Sequence, residues 1–166
     1  MSEKNIIVPD TKIKYSGLFN VLELYSMIDT YFKEKNYDKV EKRNEERIYP
    51  KGKEIELVLQ PYRNVTDYYK YVIKLEILMK NVTEVEIEKD KKKIRMNHGD
   101  ITIVYSAWIQ TDFENRSEVN PLYVFYRTLM DKYIFRNYFD KHSGNLKNDV
   151  KMLQTNIKAF LNLYKY

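Results

Sequence analysis

Two histidines, His98 and His142, are the only side chains whose ordinary pKa suits acid–base work near neutral pH. Each stands within two residues of a glycine, Gly99 and Gly144, so both read as solvated turn residues. There is no cysteine, which excludes disulfides, thiol catalysis and thiolate metal sites. Two isolated histidines without ligand spacing leave only carboxylates for a metal. The nearest such run, Glu84, Glu86 and Glu88, is followed by Lys89 and the lysines at 91–93, and reads as a wet strand face. Four scattered glycines cannot form a phosphate-cradling loop. No catalytic residue, metal site or cofactor is expected.

What the chain does offer is tyrosine, sixteen against a single tryptophan. Tyrosine couples apolar area to a hydroxyl that needs a partner. Where these residues face depends on the elements that carry them. Over 68–79 the odd positions are Tyr69, Tyr71, Ile73, Leu75, Ile77 and Met79, while Lys70, Lys74 and Glu76 lie between them. That period of two, rich in β-branched and aromatic residues, predicts a long central strand with one face in a core. The segment 101–113 repeats the pattern with Ile101, Ile103, Tyr105, Ala107 and Ile109.

Around these two strands the chain reads as follows. An arm ends at Pro9-Asp10, and 11–15 forms a short strand. Ser16-Gly17 opens a helix with Leu18, Leu22, Tyr25 and Phe32 on one face, ending near Asn36. Residues 39–49 are polar and read as an edge strand charged enough to refuse further pairing, or as a charged helical continuation. A turn at Pro50-Lys51-Gly52 leads to a strand at 54–60, stopped by Pro61. Beyond 79, two further strands, 82–89 and 93–97, are joined by a hairpin turn, and Asn97-His98-Gly99-Asp100 makes a second tight turn. After a loop at 112–119, Asn120-Pro121 caps a helix to about residue 140, broken at Gly144. A last helix spans 146–164, with a seam of Val150, Leu153, Ile157, Leu161 and Tyr164.

The expected fold is therefore α+β, a single domain over 1–166. A bent antiparallel sheet of six to seven strands grips the helix from Pro121, with one N-terminal helix and one extra terminal helix. In its order of elements the chain resembles the START-like helix-grip superfamily. That resemblance implies a curved sheet wrapped around a C-terminal helix, with ligands held between the two.

Function is expected at three places. The core-facing Tyr69, Tyr71 and Tyr105, with Tyr126 and Tyr133 from the Pro121 helix, would line an apolar cavity with hydroxyl handles, unless the core is filled. On the opposite sheet face, Val58, Val72, Leu78, Val104 and Trp108 would form an exposed apolar patch. Val72, Val104 and Trp108 are then the candidate contacts for a protein partner, a second copy or the chain's own last helix folding back. The third place is electrostatic. Charges balance over 1–120, while 121–166 hold eight basic against three acidic residues and carry the whole net charge of +5. Lys147, Lys151, Lys158 and Lys165 make a stripe that could meet nucleic acid, an anionic membrane or an acidic protein. Arg127, Lys132 and Arg136 could do the same, although Asp131 and Asp140 follow the two arginines at the spacing of ordinary surface pairs. With no apolar run long enough for a signal or a membrane span, the protein is expected in the cytoplasm. The function so implied is a non-enzymatic binding protein for a small apolar or amphipathic ligand. The alternative is an adaptor or assembly component working through its surfaces.

Overall fold

In a computed structural model, which describes residues 2–111, 121–133 and 135–163, the chain forms six strands and three helices. They are β1 (Glu3–Phe19), α1 (Val21–Glu34), β2 (Glu41–Tyr49), β3 (Gly52–Leu59), β4 (Tyr62–Asn64), β5 (Tyr69–Lys89), β6 (Lys92–Thr111), α2 (Pro121–Tyr133) and α3 (Phe135–Asn162). All pairings are antiparallel, in the order β1-β6-β5-β3-β2, with β4 on β5 outside that path. This is the α+β sheet, with an N-terminal helix and a C-terminal helix packed on it, that the sequence implies.

The inner sheet face carries Tyr69, Tyr71, Ile73, Leu75, Ile77 and Met79 of β5 beside Ile101, Ile103, Tyr105, Ala107 and Ile109 of β6, all buried. Each fully buried side chain of this size contributes roughly 1.5–3 kcal/mol. Two helices cover the face. α1 is capped by Asn20, whose side chain accepts from the amides of Leu22 and Glu23, and it buries Leu24, Ile28, Tyr31 and Phe32. Asn36, at φ 59°, ends it. α3 buries Leu146, Val150, Leu153, Ile157 and Leu161, spaced at three and four along one face.

The roles expected of the two C-terminal helices are exchanged. Leu122, Phe125, Tyr126 and Tyr133 of α2 are exposed, whereas the seam at 146–161 lies on the sheet. Gly144 does not stop the helix. It sits inside α3, where an added Cβ would meet only open space. Other boundaries move as well. The arm before residue 11 belongs to β1, and Ser16-Gly17 continue that strand, so the first helix starts only after Asn20. The 39–49 segment is a strand and not a helix. The 112–119 loop, the Asn120 cap, Tyr164 and Lys165 lie outside the described residues.

The expected turn at Asn97-His98-Gly99-Asp100 is part of β6, and the segments expected from 68 to 111 as four strands merge into two long ones. Opposite Gly99 the register of β5 shifts between Lys80 and Thr83, and Asn81 adopts φ 54°. A Cβ on Gly99 would stand 2.8 Å from the Lys80 carbonyl oxygen. The glycine therefore permits a bulge rather than a reversal. The true reversal is at Asp90-Lys91, both with positive φ, as a two-residue hairpin requires.

Candidate functional site

Where α2 and α3 leave the sheet, a cleft of about 410 Å³ opens between the helices and the ends of β1, β5 and β6. Glu3, Asn5, Tyr68, Tyr69, Thr111, Lys132, Arg136 and Phe139 line it. In its aromatic wall Tyr68 meets Tyr69 edge-on at 5.0 Å, and Tyr69 meets Phe139 in a tilted contact at 6.3 Å between ring centres. Thr111 is buried, and its hydroxyl has no hydrogen-bond partner among the described residues. A buried hydroxyl left unpaired costs about 1–3 kcal/mol, so its presence in the lining of a cleft is informative. Lys132 of α2 and Arg136 of α3 both line it, and neither is in an ion pair among the described residues. The Arg136–Asp140 pair expected from spacing is not formed among them.

Behind Tyr69 lies a buried polar layer. The His142 ring stacks on Tyr69 at 4.8 Å, meets Tyr138 edge-on at 4.5 Å, and its Nδ1 is 2.5 Å from the Tyr71 hydroxyl. Burial raises the pKa of the Tyr71 phenol and keeps it neutral, and its short contact with Nδ1 holds one side of the ring, leaving Nε2 on the other. That nitrogen is buried and finds no partner among the described residues. Further along α3, Asp149 collects the Tyr37 hydroxyl at 2.9 Å, Arg63 at 3.4 Å and Lys35 at 3.6 Å. Its backbone carbonyl accepts from Tyr31 at 2.5 Å. Arg63 also donates to the Lys35 carbonyl and lies over the rings of Tyr37 and Tyr71. Burial, then the Asp149 charge, raises the Tyr37 pKa and takes that of Tyr31 to about 12, so both remain donors.

Chemically, the layer is a brace and not a proton relay. Burial lowers the His142 pKa, with the charges of Lys141 and Arg63 adding to the effect, while it raises that of Tyr71. The two groups are thereby neutral together near pH 7. The consequence for stability has a definite sign. Protonation is harder in the folded state, so the contribution of His142 is complete above its unfolded pKa of about 6.5. It is lost as the pH falls through the folded value. The stability of the native protein to urea should therefore weaken more steeply than that of His142→Asn as the pH falls below about 6.5. Equal slopes for the two proteins would show that His142 is not responsible.

The other expected sites are distributed over the molecule. Tyr105 is buried, and its hydroxyl has no partner in hydrogen-bonding geometry among the described residues. Burial raises its pKa to about 12, opposed by the Gln154 amide. Tyr126 and Tyr133 are 61% and 74% exposed, so the five tyrosines line no common cavity. On the outer sheet face, Tyr62, Val72, Trp108 and Ile6 stand in one cross-strand row, with the Lys4 ammonium 3.7 Å over the Trp108 ring. Val72 and Trp108 are thereby buried within the chain. Val104 stays half-buried in a shallow depression with Val58 and Leu78. Lys147, Lys151 and Lys158 are exposed on α3. A further hollow of about 400 Å³ beside α1 is walled by Leu22, Tyr25, Leu57 and Met79, but it has no converging polar groups beyond its acidic rim. Among the described residues, no His, Asp and Glu side chains group to hold a metal ion, and no helix is long and apolar enough to cross a membrane.

No family model and no curated protein matches this sequence.

Proposed function

We propose that the protein is a non-enzymatic, cytoplasmic binding protein that holds a small amphipathic ligand between sheet and helix. The observation that carries this reading is the cleft at Tyr69, where an aromatic wall, two cations and a buried Thr111 hydroxyl converge, the hydroxyl without a hydrogen bond and the cations without an ion pair among the described residues. An aromatic wall facing a few converging polar groups is the usual make-up of a small-molecule site, and here the polar side holds Glu3, Asn5 and Thr111 with the two cations. Lys132 and Arg136 favour a carboxylate or phosphate head, and Tyr68, Tyr69 and Phe139 favour an apolar or aromatic body. The same placement agrees with the START-like resemblance, in which ligands lie between the sheet and its C-terminal helix. The adaptor alternative has less support, because Trp108, its expected anchor, is covered by Lys4 of the same chain.

Octanoate and octanol, which share a chain and differ in charge, make a suitable probe pair. Octanoate should shift the amide resonances of Tyr68, Tyr69 and Thr111. Its affinity should fall roughly tenfold in the Lys132→Gln/Arg136→Gln variant, since a charge-assisted contact is worth about 1.5–3 kcal/mol. Octanol binding should change little. If neither probe perturbs these residues, or if the double variant binds octanoate as well as the native protein, the reading fails.

A further inference from the structure

The two free edges of the sheet are guarded differently. β1 has register shifts between Ile6 and Val8 and again between Val8 and Thr11, and Pro9, which has no N–H, lies in the second gap. Such irregularities blunt an edge against further pairing. β2 has every residue exposed, and its register on β3 is unbroken from Arg43 to Tyr49. Alternate backbone groups of that run therefore face solvent in ladder geometry.

Charge on an edge strand commonly opposes pairing, but the outcome depends on which signs meet. When a strand pairs antiparallel with its own copy, one residue lies on the symmetry axis opposite itself. Centring on Lys42, Arg43, Glu45, Glu46 or Arg47 sets a charge against its twin. Asn44 is the one uncharged residue within 41–47. Centring there sets Arg43 opposite Glu45, Lys42 opposite Glu46 and Glu41 opposite Arg47, and no like charges face each other. At the axis two asparagine amides meet, each able to donate and to accept. Ile48, 77% exposed in the single chain, comes opposite Val40.

We propose that β2 is a self-complementary edge through which two copies of this chain form a symmetric dimer. The five-strand paths of the two copies then join into one ten-stranded sheet. Lys42 lies in the register shift that opens β2, so the Arg43–Glu45 contact, made twice by symmetry, is the regular centre of the seam. Within one chain Arg43 already meets Glu56 at 2.7 Å and Arg47 meets Glu45 at 2.8 Å. The second copy extends that network without burying an unpaired charge. The dimer does not depend on the ligand cleft.

Sedimentation across a concentration series tests it, with circular dichroism reporting folding. The native protein should show a monomer–dimer equilibrium. R43E and E45R should each weaken self-association roughly tenfold, because two facing pairs become repulsive. An equimolar mixture of the two variants should regain the native dimer constant, since each reversed charge then meets its opposite. The double variant R43E/E45R should dimerise as the native chain does, and it carries the test alone if a single variant fails to fold. A native protein that is monomeric at every concentration would overturn the proposal. So would a dimer indifferent to both reversals, or a mixture and double variant no better than the single changes.

Discussion

Replacing Leu153 by alanine should destabilise the protein by about 3 kcal/mol, whereas Phe125→Ala should stay within about 0.5 kcal/mol of the native value. Leu153 is fully buried at the middle of the α3 seam. Its loss removes the transfer energy of the side chain and leaves a cavity between helix and sheet that close packing cannot fill. Phe125 is the larger and more hydrophobic residue, yet it is 67% exposed on α2, so little burial is forfeited. Equilibrium urea unfolding of both variants measures the difference directly. A larger loss for Phe125→Ala than for Leu153→Ala would mean that α2, and not α3, is the helix held on the sheet.

The second large effect is expected at Asp149. Its side chain is 10% exposed, and its carboxylate receives Tyr37, Arg63 and Lys35. Asp149→Ala would strand a buried phenol and a partly buried guanidinium at once, at a cost of about 3 kcal/mol. Asp149→Asn retains an acceptor and should cost about half of that. In an Arg63→Ala background the alanine change should cost less than in the native protein, because the two side chains act as one unit. Additive losses in that double-mutant cycle would show that Arg63 and Asp149 stabilise the fold independently.

How much of this was legible beforehand depends on the range of the interaction. Alternation at 68–79 and 101–113 is a local signal, and both strands and their buried faces follow it. The seam from Val150 to Leu161 was equally plain. What local pattern could not decide was which of two neighbouring helices the sheet would take. The aromatic residues of α2 occur all around its axis, and hydrophobicity without a one-sided stripe does not fix a packing face. Asn97-His98-Gly99-Asp100 misled for a related reason. Its residue types suit a turn, and only the bulge at Lys80–Thr83 on the neighbouring strand shows that Gly99 serves close approach. At the candidate site, Tyr69 and Tyr71 were found by their strand parity. His142 was misread because its glycine neighbour suggested a turn. Arg63 and Asp149 are 86 positions apart, and neither has a local signal announcing the other. Thr111 stands out only in three dimensions, where its hydroxyl has no partner among the described residues.

The position of β1 bears on how the chain is made. Its partner is β6, with Glu3 opposite Thr111 and Phe19 opposite Asn97, so β1 must wait until the chain has been made as far as β6. Closing so long a loop before its contacts form is a slow step in folding. During that interval β2 and β3 can already pair with each other, while β1 remains an unsatisfied ribbon. The bulges around Pro9 then serve the nascent chain as well as the finished one. They keep the early strand from templating on a neighbouring polypeptide before its own partner has been synthesised.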